Sequence, residues 1–243
     1  MIVPSMLFVG FLLGMKHATE ADHLAALATL ATRQSSLLQT VRQGVAWGVG
    51  HTIVLLTVGA IVLILGTAVP ERLAQALEFC VGVMLVALGT DVLRRLLRER
   101  MHVHVHRHPG GVTHLHLHSH ANEAGRHHAL HDHTHTPQLP LRALIIGMIH
   151  GMAGSASLLL LSLAAAPSIG TGLLYIATFG IGSILGMAAC SAAIAVPLRI
   201  SARSLTWLHK GMNAAVGAST CILGIVMMYR IGIVEGWLRT AIG

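Results

Sequence analysis

The chain has 243 residues, of which 54% are hydrophobic and only 10% charged, with a mean hydropathy of +0.71. A soluble domain carries about 25% charged residues, so a water-facing surface is excluded and the length is better counted in membrane spans of about 20 apolar residues. The formal charge of +7 does not indicate nucleic acid, because aromatics make up only 4%, too few for a base-stacking platform, and the basic residues gather at the ends of apolar segments.

Six hydrophobic segments follow in chain order, at 2–30, 43–66, 72–97, 139–166, 168–196 and 204–230. The first lacks the positively charged leader of a signal peptide and is expected to be retained. Its second half carries charge, so its cytoplasmic end is expected to break or leave the membrane. Pro70 precedes the third segment, Pro140 opens the fourth and Pro167 separates the fourth from the fifth; Pro197 is expected to end the fifth. The connections after segments one, three and five hold twelve Lys/Arg residues, against three on the other side. The first side should be cytoplasmic, which puts both termini outside, in a cell (plasma or inner) membrane. The lipid bilayer is thereby the first expected partner.

Three matches in register suggest an internal repeat. Gly14-Met15-Lys16-His17 matches Gly147-Met148-Ile149-His150, Trp47-Gly48-Val49-Gly50 matches Phe179-Gly180-Ile181-Gly182, and Val81-Gly82 with Leu88-Gly89 matches Val216-Gly217 with Leu223-Gly224. A unit of three spans inserts its copy upside down, an arrangement many secondary transporters use around a midplane site. The expected fold is therefore an all-α integral membrane protein with six transmembrane helices as two inverted three-helix repeats. The repeats would cover 1–99, with the metal motif, and 139–243, with a cytoplasmic His-rich loop at 100–138 between them. Gly44 with Gly48, and Gly182 with Gly186, have the spacing that lets helices approach closely.

The chemistry is concentrated in His17-Ala18-Thr19-Glu20-Ala21-Asp22-His23. Charged groups at membrane depth cost roughly 2.5–3.5 kcal/mol each on insertion scales and persist where they face a cavity, pair or bind an ion. Imidazole suits Zn, Cu, Fe and Ni, and carboxylate broadens the choice. On a straight helix His17, Glu20 and His23 fall at about 0°, 300° and 240°, with Asp22 off that stripe at about 140°. Asp22 then either orients a ligand from another side or needs a helix distortion to join the site. The competing reading is a solvated helix end with Lys16 paired to Glu20 or Asp22. His51, within the second segment, and His150, at the repeat position of His17, are further candidate ligands; each could equally be a hydrogen-bonded interhelix histidine. Asp22 and His23 map onto Ser155 and Ala156, so the second unit lacks the acid.

The spacing of His17 with Asp22-His23 resembles the H-x-x-x-x-D-H signature of the nickel/cobalt transporter (NicO/NiCoT) family. Gly14 to Leu24 resembles that family further, with Glu20 where a second aspartate usually stands. Gly50-His51-Thr52 is similar to its next motif. The compact layout most resembles the six-span, urease-accessory-type nickel permease branch. The resemblance implies transport of Ni²⁺ or Co²⁺, with Zn²⁺ a further candidate. The candidate metal ligands are His17, Glu20, Asp22, His23, His51 and His150; His17, Asp22, His23 and His51 are expected to dominate, with His150, placed by the repeat, contributing or gating. Nothing is expected to be tightly bound as a cofactor, and a cytoplasmic metallochaperone is a candidate partner.

Residues 102–135 hold thirteen of the eighteen histidines, a composition that binds metal. Folding the strip about Gly111 sets His108 opposite His114, His106 opposite His116, His104 opposite His118 and His102 opposite His120, all on one face. A metal-induced hairpin is one reading. An unordered metal buffer is the preferred one, since an isolated two-stranded hairpin is marginal in water.

No G-x-x-x-x-G-K-[ST] and no H-E-x-x-H occur, so neither an ATPase nor a metalloprotease is indicated and the chain is read as a non-enzyme. A thiol carrier is disfavoured because Cys80 maps onto Ala215. The expected function is a secondary permease importing a divalent metal ion. The alternatives are efflux of the same ions, or a membrane metal sensor or accessory protein that does not transport.

Overall fold

The computed structural model describes residues 2–34, 36–66, 69–99, 106–107, 113–114, 140–152, 168–204 and 206–237. In chain order the helices are α1 (Ile2–His17), α2 (Ala21–Ala31), α3 (Leu37–Leu65), α4 (Glu71–Glu99), α5 (Leu141–Gly151), α6 (Ile169–Ser204) and α7 (Thr206–Tyr229), the last continuing into a π-helical turn, Arg230–Val234. Among the described residues, four helical stretches are long and apolar enough to cross a membrane, Leu37–Leu65, Glu71–Arg98, Ile169–Ala202 and Thr206–Val234. The apolar helices Val3–His17 and Leu141–Gly151 are shorter.

The first expected segment is thus two helices, broken at residues 18–20. The fourth is helical as far as Gly151, and its remainder lies outside the described residues. Pro197 does not end the fifth segment but sits within α6. A proline in a membrane helix is tolerated where neighbouring groups re-satisfy the freed carbonyl, and α6 has α1, α2, α3 and α7 packed along it. α3 ends as its sequence dictates. Gly66 takes the left-handed conformation (φ 62°) and its N–H donates to the Val62 carbonyl at 2.9 Å, the usual glycine stop.

Glycines set the packing. A Cβ on Gly44, Gly48 or Gly180 would meet Ser191, Ile184 or Thr52, respectively, so α3 and α6 run antiparallel in close contact. Gly82 lies on Gly224 and Gly89 on Gly217, which makes α4 and α7 antiparallel as well. α1 runs parallel to α6, with Gly10 against Tyr175, Gly14 against Phe179 and Gly186 against Ala18, and α5 runs parallel to α3, with Gly147 against Trp47 and Gly151 against His51. It follows that α1 and α5 enter the bundle from opposite ends.

The largest core cluster gathers Ala26, Leu27 and Leu30 of α2, Trp47 of α3, Val81 and Leu85 of α4, Ile146 of α5 and Met187 of α6. The outside is apolar too: Phe8, Ile64 and Ile222 are each more than 60% exposed, as suits a surface solvated by lipid. Between α4 and α5, His106–Arg107 and Thr113–His114 form a two-residue antiparallel ladder with His106 opposite His114. The backbone register is centred on residue 110, not 111, so His106 does not oppose His116. A slip of two residues preserves the face each side chain occupies, which is why histidine spacing alone cannot select between the registers. His102, His104, His108, His116, His118 and His120 lie outside the described residues.

Candidate metal centre

α1 ends at its only two basic residues, Lys16 and His17. The N–H groups of Thr19 and Glu20 turn back to the carbonyls of Lys16 and His17 at 2.9 and 3.1 Å. The Thr19 hydroxyl donates to the Lys16 carbonyl at 2.6 Å, so a side chain competes for the helical acceptor, as Thr does near helix ends. Glu20 is then extended (φ −64°, ψ 148°) and caps the start of α2.

The break re-aims the acids. Glu20, on the histidine stripe of a straight helix, is left half exposed and pairs with His17 Nδ1 at 2.9 Å. Asp22, off that stripe, turns inward. It accepts from the backbone N–H of His23 at 2.9 Å and from His23 Nδ1 at 3.0 Å on one oxygen, and from His150 Nε2 at 2.9 Å on the other. The helix distortion expected for Asp22 is observed, and through it Asp22 also holds the rings of His23 and His150. Both carboxylates pair with imidazole instead of Lys16.

Four imidazoles meet here. His17, His23, His51 and His150 are all at most 5% exposed. Ring centroids lie 4.3 Å apart for His17–His23 and 4.2 Å for His23–His150, with His51 at 5.2, 5.3 and 6.3 Å from His17, His23 and His150. The residues come from four elements: the end of α1, the first turn of α2, the middle of α3 and the end of α5.

The hydrogen bonds leave a specific set of nitrogens unused. A carboxylate only accepts, so His17 and His23 carry their proton on Nδ1 and His150 on Nε2. In the neutral ring each opposite nitrogen is then a lone pair. His17 Nε2, His23 Nε2 and His150 Nδ1 are buried without a hydrogen-bond partner, as are both nitrogens of His51. His51 is therefore not the hydrogen-bonded interhelix histidine its position also allowed. Carboxylate to Nδ1 with a bare Nε2 is how histidine is oriented toward a metal ion. Two groups could hold one, His17 with His23 and His51, and Asp22 with His23 and His150; in each the donor atoms lie within 4.8 Å of one another. A tetrahedral ion with M–N bonds of about 2.0–2.1 Å wants donors about 3.4 Å apart, so the side chains would close in on an ion.

Helix ends reinforce the site. α1 and α5 direct their C-termini, the negative ends of their dipoles, at these histidines from opposite sides, which favours a cation. Asp22 lies in the first turn of α2, where the positive end favours a carboxylate.

Two flanking residues were not among the sequence candidates. Trp47 lies against His150, with ring centroids 5.5 Å apart, and Phe179 against His17 at 5.5 Å. Their signal was present as the aromatic-glycine match of the repeat. Thr52 is buried and donates to the Gly48 carbonyl at 2.7 Å, a packing role. Asp91, beside Arg94 and Arg95 in the sequence, pairs with Arg33 and with Arg95, which ties the far end of α2 to α4.

The urease accessory protein UreH of Bacillus sp. (strain TB-90) is 34% identical to this chain over 245 residues, an alignment covering 97% of each. No family model and no solved structure matches the chain.

Proposed function

Since the chain belongs to the family of the urease accessory protein UreH, we propose that it serves as a membrane permease importing a divalent transition-metal ion, Ni²⁺ or Co²⁺, through the four-histidine centre. The observation that carries this reading is the cluster of buried, unpaired imidazole nitrogens where α1 and α5 end. Such a set binds Ni²⁺, Co²⁺ and Zn²⁺, and it disfavours Mg²⁺ and Ca²⁺, which prefer oxygen. The first-segment motif's resemblance to nickel/cobalt transporters selects Ni²⁺ or Co²⁺ among these. Delivery of the ion to urease maturation, through a cytoplasmic metallochaperone, is the corresponding accessory role.

Two inverted three-helix units are the proposed architecture. Contacts exchange under the repeat offset: Gly14 on Phe179 answers Gly147 on Trp47, Gly50 on Leu144 answers Gly182 on Phe11, and Gly82 on Gly224 answers Gly89 on Gly217. Corresponding helices α3 and α6, and α4 and α7, pack antiparallel, as inversion requires. Rocking of one unit against the other exposes the centre alternately to each side. Both termini face outward and the His-rich loop lies in the cytoplasm, where it receives or buffers ions.

Metal flux into proteoliposomes tests this, with Ni²⁺, Co²⁺ and Zn²⁺ compared in wild type, His17→Ala and Asp22→Asn. Nickel or cobalt flux that both substitutions reduce at least tenfold is expected. Undiminished flux in both variants would remove the centre from the pathway. Binding without flux in the wild type would make the protein a non-transporting metal sensor or accessory.

A further inference from the structure

The two candidate ligand groups overlap in one residue. His17, His23 and His51 form one; Asp22, His23 and His150 form the other. His23 lies between His17 and His150, 4.3 and 4.2 Å from each by ring centroid. With its Nδ1 committed to Asp22, His23 has one lone pair, on Nε2, and can ligate one ion at a time. The end members differ in their mounting: His17 is the last residue of α1, and His150 is next to last in α5. Those helices enter from opposite ends of the bundle.

We propose that the centre is two overlapping stations for a single ion, one at His17, His23 and His51 and the other at Asp22, His23 and His150, with His23 as the ligand kept throughout the hand-over. This rests on the permease reading and adds a division of labour to it. An ion at the first station sees three neutral imidazoles, with Glu20 behind His17. At the second it gains a carboxylate oxygen: Asp22 gives up its hydrogen bond from His150, whose ring turns to ligate through Nδ1 and keeps its proton on Nε2. Movement of α1 relative to α5 alters the span between His17 and His150, whereas His23, on α2, stays within reach of both. Sharing one ligand lets the ion cross without ever being released to bulk lipid or water, a continuity that two separate sites would not provide.

The experiment uses the full chain with its thirteen histidines between 102 and 135 changed to glutamine, so that loop sites do not bind the probe. Co²⁺ is titrated and its visible absorption recorded, alongside Co²⁺ flux. The wild-type centre should bind one ion per chain. His51→Leu should still bind one, at the second station, and His150→Ala should still bind one, at the first, each within about tenfold of the wild-type Kd. The two should give different absorption bands, because one ligand set contains an oxygen and the other does not, and both should lose at least tenfold in flux. The double variant should lose binding. His150→Gln, which keeps a donor to Asp22, replaces the alanine variant if that does not purify folded. Loss of binding in either single variant, two ions bound at once, or wild-type absorption and flux in His150→Ala would each overturn the relay while leaving a single-site permease standing. No Co²⁺ bound by the wild type, or normal binding by His23→Ala, would instead overturn the metal centre itself.

Discussion

His51 carries the clearest energetic cost in the buried cluster. It is fully buried, and neither ring nitrogen finds a partner. A buried polar group left unsatisfied costs about 1–3 kcal/mol, and residues at binding sites commonly carry such costs. His51→Leu should therefore leave the metal-free protein as stable as the wild type or more so, with flux reduced at least tenfold. Thermal unfolding in detergent checks the first part. A fall in Tm of several degrees would mean that His51 holds the helices together. His17 and His23 differ in kind. Their Nδ1 atoms are held by carboxylates, so their rings are aimed before any ion arrives, and the acids act by orienting imidazole as well as by charge.

At the scale of elements, two interruptions build the centre. The break at residues 18–20 rotates α2 so that Asp22, and not Glu20, faces inward. Close approach of α5 to α3 then brings His150 to it. That approach depends on absent side chains: a Cβ on Gly151 would come within 2.8 Å of the His51 carbonyl oxygen. Gly151→Val should push α5 away from α3 at a cost of about 1–3 kcal/mol, typical of overpacking. Metal flux should fall at least tenfold, as in His150→Ala, while the helical circular dichroism stays near the wild-type value. Unchanged flux would mean that His150 reaches the centre by another route, or that it contributes nothing to transport.

At the scale of the whole molecule, an apolar exterior surrounds a polar centre made by four elements, and the His-rich segment stands apart from it in sequence. The candidate ligand groups among the described residues, His17 with His23 and His51, and Asp22 with His23 and His150, are complete in themselves. Removing those residues should consequently preserve part of the nickel or cobalt flux of proteoliposomes, with the loss confined to retention or tolerance at low ion concentration. Complete loss of flux would make the segment part of the pathway.

Composition and hydropathy, by themselves, determined that the chain is a helical membrane protein, because a lipid-facing surface must be apolar along whole helices. The ligand candidates were legible as well, since histidine and acid inside apolar segments are conspicuous. Which acid turns inward was not. A straight wheel places Glu20 beside the histidines, and only the turn made by Thr19 and Glu20 reverses this. Nor could sequence decide that His17, His23, His51 and His150 share one point, or which nitrogens stay free. Those are consequences of helices meeting across distances of tens to more than a hundred residues, at glycines whose partners are chosen by packing. Local propensity carries no information about such partners; the tertiary contacts alone decide them.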